Sequence, residues 1–287
     1  MKTKIALVTG ASSGIGAATA ERLVAAGYKV YGTSRRGAQG GADQASRRSF
    51  ELLPLDVTND ESAKAVVDQV IRLEGRIDLL VNNAGFGVAS AGAEESSMDQ
   101  AHAIFDTNFF GTVRMIRAVL PHMRRRGYGR IVNIGSVFGF LPMPYMALYA
   151  ATKHAVEGYS ESLDHELRTK GIRVSIIEPA NTKTGFDANS LQPDSPLAEY
   201  RDAREAVGKT MKEMVDGGDA PSIVADAVLK AALAAHPKVR YTAGRRAGLL
   251  KILRRFAPAG MMDSGLRKQL RLDTSTTPTS ATPALQK

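Results

Sequence analysis

The sequence contains no cysteine, and this absence excludes several kinds of site. Without cysteine the chain cannot form a disulfide, a thiolate nucleophile or a metal site with thiolate ligands. The five histidines lack the spacing of metal ligands, so we expect no metal centre. A chain of 287 residues can bury a large core without such cross-links. The absence also fits a reducing compartment, and we expect a cytoplasmic protein.

Long apolar stretches are lacking as well. The first one, residues 5–8, is followed directly by a glycine-rich loop and is shorter than the core of a signal peptide. The longest, residues 141–151, contains two prolines and is too short to cross a bilayer. The sequence therefore predicts no transmembrane helix.

Positive charge is concentrated near the end of the chain. The net charge is +9, and residues 238–272 contain ten lysines and arginines against one aspartate. The rest of the chain is therefore neutral overall. Residues 249–256 could lie on an anionic membrane surface, or they could form a helix over the sheet edge with its charges in water. We prefer the second interpretation because the segment is short, and we expect no nucleic-acid partner because no such module is recognisable.

Strand-like and helix-like segments alternate along most of the chain. The predicted strands are residues 5–9, 29–33, 50–56, 77–82, 130–134, 172–177 and 239–242. The predicted helices are residues 15–26, 58–74, 99–126, 147–170 and 221–235. This alternation predicts an α/β fold, a single Rossmann-type doubly wound parallel sheet with helices on both faces. Pro121 is expected to kink the long third helix.

We expect one nucleotide-binding domain over residues 1–272. Within it, residues 183–220 should form a mobile cover over the site, and residues 245–272 a basic helical extension. A capping box at residues 58–61 should begin the second helix. Residues 273–287 are rich in Thr, Ser, Pro and Ala, a composition typical of a disordered tail.

A glycine-rich loop joins the first predicted strand to the first predicted helix. Gly10, Gly14 and Gly16 have the spacing G-x-x-x-G-x-G. Glycine allows a tight turn and lets a pyrophosphate approach the N–H groups at the start of the helix. An ordinary strand-to-helix turn is the alternative, but the position after an N-terminal strand favours a dinucleotide site.

The end of the second strand predicts which dinucleotide is bound. An acidic residue there would bind the adenosine ribose and repel a 2′-phosphate. This chain has Arg35 and Arg36 instead, and guanidinium groups fit a phosphate well. We therefore expect NADP(H); the alternative is that both arginines are solvated loop charges.

Tyr149 and Lys153 lie four residues apart in a predicted helix and therefore share one face. A free tyrosine has a pKa of about 10 and is a poor acid–base catalyst at neutral pH. An ammonium group about 4 Å away would lower that pKa by roughly three units at an effective dielectric constant near 20. The pair suits proton transfer to a carbonyl oxygen, although such a spacing also occurs by chance.

Further polar groups are predicted at the same edge of the sheet. They are Asn82 to Gly85 after the fourth strand, Ser136 after the fifth and Pro179 after the sixth, with Asn108 in the preceding helix. With the glycine loop, Asp56-Val57, Tyr149 and Lys153, this order of motifs resembles the short-chain dehydrogenase/reductase family over about two-thirds of the chain. One departure is Ala180, where the family usually has glycine.

The resemblance implies a role for each matching residue. Tyr149 would be the acid in reduction and the base in oxidation, Lys153 would tune it and hold the nicotinamide ribose, and Ser136 would bind the substrate oxygen. Asn108 would help to hold a water that relays protons. The residues implied in cofactor binding are Gly10, Ser12, Ser13, Gly14, Ile15, Gly16, Arg35, Arg36, Asp56, Val57, Asn83, Ala84, Gly85, Tyr149, Lys153, Pro179, Thr182 and Thr184.

The segment between Ser136 and Tyr149 is apolar and should wall the substrate site. We expect Phe138, Met143 and Phe186 to contact a lipophilic carbonyl or alcohol such as a steroid, a retinoid or an aromatic ketone. Each of these residues could instead pack in the core. The pattern of residues 241–272 resembles the retinol and hydroxysteroid dehydrogenase-like branch of the family, which supports a lipophilic substrate.

The resulting hypothesis is an NADP(H)-dependent carbonyl reductase or alcohol dehydrogenase. A non-catalytic NADP(H)-sensing protein on the same fold is the main alternative, and a peripheral membrane protein that uses the sheet as a scaffold is another. Members of the family are often dimers or tetramers, so we expect a homo-oligomer.

Overall fold

The computed structural model describes residues 3–37, 48–185 and 190–272. The strands in this part of the chain are β1 (Lys4–Val8), β2 (Tyr28–Ser34), β3 (Glu51–Pro54), β4 (Leu79–Asn82), β5 (Gly129–Ile134), β6 (Ile172–Pro179) and β7 (Arg240–Ala243). The α-helices are α1 (Gly14–Ala25), α2 (Asp60–Glu74), α3 (Met98–Phe105), α4 (Gly111–Arg126), α5 (Ala147–Leu167), α6 (Arg201–Asp216), α7 (Pro221–Leu233), α8 (Arg245–Phe256) and α9 (Ala259–Gln269).

The strands form one parallel sheet in the order β3-β2-β1-β4-β5-β6-β7. Alternate side chains of each strand face opposite helical layers. Ile5 and Leu7 of β1 belong to a buried cluster with α2, α4 and α5. Ala6 and Val8 belong to a second cluster with α1 and α7. Strands buried on both faces require unbroken apolar runs, and the predicted doubly wound fold is confirmed.

The strand order reverses between β1 and β4. Strands β2 and β3 extend the sheet on one side of β1, and β4 to β7 extend it on the other. The chain therefore leaves β1 and β4 toward opposite faces. A crevice opens between these exits at the carboxyl edge, which is where sheets of this kind bind ligands.

The long helix predicted over residues 99–126 is interrupted. A π-helical turn, Asp106–Phe110, separates α3 from α4, and α4 continues through Pro121. The π-helical turn was not expected from the sequence, and the kink expected at Pro121 stays a prediction. Turns of this kind are frequent at functional sites, and this one contains Asn108.

One further expectation needs correction. The N-cap of α2 is Asn59, whose side chain accepts from the N–H of Ser62, whereas the sequence pattern placed the capping box one residue earlier. The segment expected to form a mobile cover, residues 183–220, contains the helix α6. The predicted tail, residues 273–287, lies outside the described residues. Among the described helices, none combines the length and the apolar character needed to cross a membrane.

Candidate active site

The Thr9 side chain joins the carboxyl ends of β1 and β4. Its hydroxyl accepts hydrogen bonds from the backbone N–H of Asn83 at 2.9 Å and of Ala84 at 3.0 Å. In return, Nδ2 of Asn83 donates to the carbonyl oxygens of Thr9 and Gly10. These bonds fix the two loops that border the crevice. Thr9 is thus a positioning residue, which the sequence analysis had not included among the site residues.

The glycines of the loop after β1 serve different purposes. Gly10 and Gly14 have positive φ angles of 64° and 56°, which favour glycine. A Cβ on Gly16 would lie 2.2 Å from the carbonyl oxygen of Gly10. Gly16 therefore lets α1 pack against the loop and does not itself line the cleft. The side chain of the N-cap residue, Ser13, makes no hydrogen bond to the start of α1, so the first N–H groups of the helix can bind an anion.

A cleft of about 1000 Å³ follows this edge of the sheet. It brings together most of the site residues expected from the sequence. These are Gly10, Ser12, Ser13, Gly14, Ile15, Arg35, Arg36, Asp56, Val57, Asn83, Ala84, Gly85, Asn108, Ser136, Phe138, Tyr149, Lys153, Pro179, Thr182 and Thr184. Phe186, the remaining substrate contact expected beside Met143, lies outside the described residues.

Positive charge lines the end of the cleft next to β2. Arg35 and Arg36 are exposed there, and neither forms an ion pair within residues 3–37, 48–185 and 190–272. Arg48, which the sequence analysis did not select, also lines the cleft, and its guanidinium donates to the carbonyl oxygen of Ser12 at 3.3 Å. This end of the cleft is therefore suited to an anionic group beside the glycine loop.

Asp56 lies close to these arginines. Oδ1 of its carboxylate accepts from the N–H of Thr58 at 2.9 Å and from the Thr58 hydroxyl at 2.7 Å. These bonds, with smaller contributions from Arg35 and Arg114, hold the pKa of Asp56 below its usual value. The side chain therefore remains an acceptor, which suits an amino group such as that of adenine.

Lys153 is a buried cation beneath the cleft. Its ammonium group donates to the carbonyl oxygen of Ile134, at the end of β5, over 2.9 Å. It lies 5.7 Å from the centre of the Tyr149 ring. Burial lowers the pKa of Lys153 to about 8, and the nearby carboxylate of Glu157 opposes this effect. The arrangement places a titratable positive charge next to the phenol.

One aromatic residue and one polar residue complete the wall around Tyr149. The rings of Phe138 and Tyr149 meet edge to face, with centroids 6.4 Å apart. Ser136 has an extended backbone, and its hydroxyl oxygen accepts from the N–H of Phe138 at 3.2 Å. This bond uses the hydroxyl only as an acceptor, so its proton can be donated to a substrate oxygen.

Asn108, which also lines the cleft, is held by the backbone of Phe86. Its Oδ1 accepts from the N–H of Phe86 at 3.0 Å, and Nδ2 donates to the Phe86 carbonyl oxygen at 2.9 Å. Nδ2 also donates to the hydroxyl of Thr152, the neighbour of Lys153, at 3.2 Å. The side chain thus connects the loop after β4, the π-helical turn and α5. Because the side-chain amide is used in these bonds, any water held by Asn108 would bind to its backbone carbonyl oxygen.

Glu157 lies one helical turn beyond Lys153 and supports the loop that carries Ser136. A Cβ on Gly135 would lie 2.9 Å from Oε1 of Glu157, and a Cβ on Gly139 would lie 2.7 Å from its Cγ. The carboxylate pairs with Arg240, with Nη2 to Oε2 at 3.2 Å. Burial raises the pKa of Glu157 to about 7 although Arg240 opposes it. The two glycines that flank the Ser136 loop therefore make room for this side chain.

The other end of the cleft is apolar. Besides Phe138, it is lined by Met146, Leu191, and Met211 and Val215 of α6. The expectation for Met143 was wrong: this side chain is buried in a cluster with Val207 and Leu270, behind the wall. The spacing of Val207, Met211 and Val215 was a helical signal that could have identified this side of the cleft.

Comparison with known proteins agrees with the fold and the site. The sequence pattern described as short chain dehydrogenase matches residues 4–194. The chain is 36% identical over 273 residues to 3-ketodihydrosphingosine reductase of Bacteroides thetaiotaomicron, covering 93% of this chain and 98% of that one. It is 34% identical to human 17-beta-hydroxysteroid dehydrogenase type 1, covering 91% and 83% of the two chains.

Solved structures give the same result. A short-chain dehydrogenase from Streptomyces avermitilis superposes with a TM-score of 0.77 at 34% identity, covering 96% of this chain and 99% of that one. ElxO with NADP bound has a TM-score of 0.71 at 26% identity, with 84% and 97% covered. A Burkholderia phymatum member in complex with NAD has a TM-score of 0.75 at 27% identity, with 87% and 92% covered.

The chain belongs to the short-chain dehydrogenase/reductase family. It is accordingly an oxidoreductase that uses a nicotinamide cofactor and acts on a carbonyl or alcohol group of a small molecule. The resemblance on which the sequence analysis relied is thereby confirmed. The solved relatives hold NADP in one case and NAD in another, so family membership does not determine the choice between the two cofactors.

The contact between Glu157 and Gly139 leads to a test of the support for Ser136. Gly139→Ala should destabilise the protein by about 1–3 kcal/mol, because its methyl group would overlap Glu157 and crowd the Lys153 carbonyl oxygen. Urea unfolding measures the change. Gly158→Ala, in the helix that carries Glu157, is the control: a Cβ there meets no described atom outside its own helix within 4 Å, and the variant should be neutral or stabilising. Equal stability of the two variants would show that Glu157 is not tightly seated.

Proposed function

We propose that the chain is an NADP(H)-dependent oxidoreductase that transfers hydride between the nicotinamide and a lipophilic carbonyl or alcohol. The observation that carries the proposal is the buried ammonium of Lys153 beside Tyr149, in a cleft that also contains Ser136 and the glycine loop. This combination provides a proton donor, a group that tunes it and a donor to the substrate oxygen.

The residues of the cleft fit a dinucleotide. The close packing at Gly16 and the uncapped start of α1 leave the backbone open to a pyrophosphate. Asp56 and Val57 would hold the adenine, and Asn83 to Gly85 would line the cofactor. Arg35 and Arg36 would bind the 2′-phosphate, which favours NADP(H) over NAD(H). When bound, the cofactor supplies or accepts the hydride.

The protein groups would manage the proton and the developing charge. In reduction, the Tyr149 hydroxyl donates its proton to the carbonyl oxygen, and the Lys153 charge stabilises the phenolate that remains. Ser136 donates a hydrogen bond to the same substrate oxygen. Asn108 holds the loop after β4 against α5, so that Tyr149, Lys153 and Ser136 face the same part of the cleft. Oxidation of an alcohol uses the same groups in reverse.

The substrate class is proposed from the apolar end of the cleft. Phe138, Met146, Leu191, Met211 and Val215 offer contact area but no charge to a bound molecule. Two relatives are named for activity on 3-ketodihydrosphingosine and on hydroxysteroids, and both of these molecules are lipophilic. We therefore place a steroid, a retinoid, a long-chain ketone or an aromatic ketone in this part of the cleft.

The first test removes the proton donor. Tyr149→Phe should lower the rate of NADPH oxidation with a carbonyl substrate by about 10²–10⁴-fold, because the acid–base group is lost. Binding of NADPH, measured by fluorescence titration, should persist. Tyr159→Phe alters the same helix outside the cleft and should retain activity. A wild-type chain that binds NADPH but turns over no member of a ketone and aldehyde panel would favour the cofactor-sensing alternative.

The second test concerns cofactor choice. The double variant Arg35→Ala/Arg36→Ala should weaken NADPH binding by roughly 10–100-fold, as expected for loss of hydrogen bonds to a charged group, and should leave NADH binding nearly unchanged. Titration of each cofactor measures the ratio. Arg72→Ala, which removes an exposed arginine that does not line the cleft, is the control. Equal or tighter binding of NADH by the wild-type chain would refute the proposed preference.

The third test uses the low pKa of Lys153. Because this pKa is about 8, the ammonium is charged at lower pH and neutral above it. The kcat for carbonyl reduction at saturating NADPH should therefore fall as the pH rises through about 8. Lys153→Arg keeps its charge at every accessible pH, so in a folded variant that retains activity any remaining decline reports loss of the Tyr149 proton rather than loss of this charge. A wild-type rate that stays constant up to about pH 10, the usual pKa of lysine, would contradict the assigned role.

A further inference from the structure

Helix α8 presents two apolar faces in opposite directions. On the inner face, Ala247 is fully buried and Leu250 packs with it against a cluster that contains Val137 and Leu141. Lys251 anchors the same side, with its ammonium 3.1 Å from a carboxylate oxygen of the buried Glu178. These contacts account for the attachment of the helix to the sheet edge, as one of the two interpretations of the sequence expected.

The outer face of α8 is not used in this attachment. Leu249, Ile252 and Phe256 are spaced by three and four residues and therefore form one stripe. Their exposed fractions are 57%, 59% and 74%. Met261, at the start of α9, is a further large apolar residue with 55% exposure. Single exposed apolar residues are common on proteins, but an aligned stripe of this kind indicates a binding surface.

Arginines surround this stripe. At 100° per residue, Arg245 falls in line with it, and Arg246 and Arg255 fall on opposite sides. All three are exposed, and none of them takes part in an ion pair in the described part of the chain. The guanidinium of Arg255 lies 5.5 Å from the centre of the Phe256 ring. We call the stripe and these three arginines the docking face.

We propose that the docking face binds the surface of an anionic membrane, with Leu249, Ile252 and Phe256 inserted between lipid headgroups and the arginines on lipid phosphates. A helix that combines an apolar stripe with flanking cations has the character of an interfacial helix. The negative surface potential of an anionic leaflet complements the unpaired charges.

Two other occupants fit this charge pattern less well. A second copy of the chain placed symmetrically on the docking face would bring the same arginines of both copies together, and like charges in contact disfavour such an interface. A nucleic acid would provide phosphates for the arginines but no apolar partner for the exposed apolar stripe. An anionic lipid surface provides apolar and charged partners together.

The helix that carries the docking face also packs against residues that line the cleft. The cluster under α8 includes Phe138, which lines the cleft beside Tyr149. Helix α9 packs through Leu266, together with Leu270 just after its end, on the buried cluster behind Met146 and Met211. Membrane binding through α8 would therefore bring the apolar end of the cleft near the lipid phase. The binding itself does not depend on the proposed substrate class.

Vesicle flotation with the full chain tests the proposal. The wild-type protein should float with vesicles of phosphatidylcholine and phosphatidylglycerol in equal amounts. It should float at least ten-fold less with phosphatidylcholine alone, and increasing salt should release it. Failure to float with the anionic vesicles at low salt would overturn the proposal, whatever the enzymatic activity of the preparation.

Matched variants assign the binding to the docking face. Leu249→Ser/Ile252→Ser/Phe256→Ser should reduce flotation at least ten-fold, and Arg245→Gln/Arg246→Gln/Arg255→Gln should remove the preference for anionic lipid. Leu73→Ser/Leu233→Ser is the control, because it removes similarly exposed apolar residues, with 58% and 53% exposure, from other helices. It should float like the wild type. Circular dichroism and turnover of a water-soluble carbonyl should confirm that each variant is folded.

Three outcomes would refute the assignment. The serine triple variant could float as well as the wild type, or the control could lose as much binding. Sedimentation equilibrium could also show that the wild type is an oligomer and that the serine triple variant is a smaller species, which would make the docking face a contact between copies of this chain.

Discussion

The burial of a single positive charge at Lys153 determines much of the arrangement around the site. The residue is only 8% exposed, and its ammonium group has lost most of its water. It remains acceptable because the Ile134 carbonyl oxygen accepts one of its protons at 2.9 Å. This contact requires β5 to end where it does and α5 to cross that end. The position of Tyr149, one turn earlier on α5, then follows from helix geometry.

Opposite charges continue from this lysine toward the C-terminal helices. Glu157 pairs with Arg240 at 3.2 Å, Arg240 lies 3.4 Å from Glu178, and Glu178 lies 3.1 Å from Lys251. Strand β7 and helix α8, which supply no side chain to the described lining of the cleft, thus contribute to the electrostatic environment of the active site. Because Glu157 and Glu178 are buried, removal of a cationic partner would leave a buried charge without compensation.

Features set by local sequence were predictable. The buried strands, the glycine loop and the spacing of Tyr149 and Lys153 each depend on neighbouring residues, and the structure places them as expected. The π-helical turn was missed because Asn108 is held by Phe86, which lies 22 residues earlier in the chain. The roles of Met143 and Met211 were not separable either. The packing of α6 and α9 determines which of the two methionines faces the cleft, and no local sequence pattern predicts that packing.

The reactive groups and the apolar wall belong to different parts of the chain. Tyr149, Lys153 and Ser136 lie within residues 4–194, which match the family pattern. Met211 and Val215 lie beyond it, on α6, and the cluster behind them depends on α9. Changes in α6 or α9 can therefore reshape the apolar end of the cleft without disturbing the contact between Lys153 and Ile134. The chemistry is thus fixed by the sheet edge, whereas the shape available to a substrate is determined by helices that pack against it from the last third of the chain.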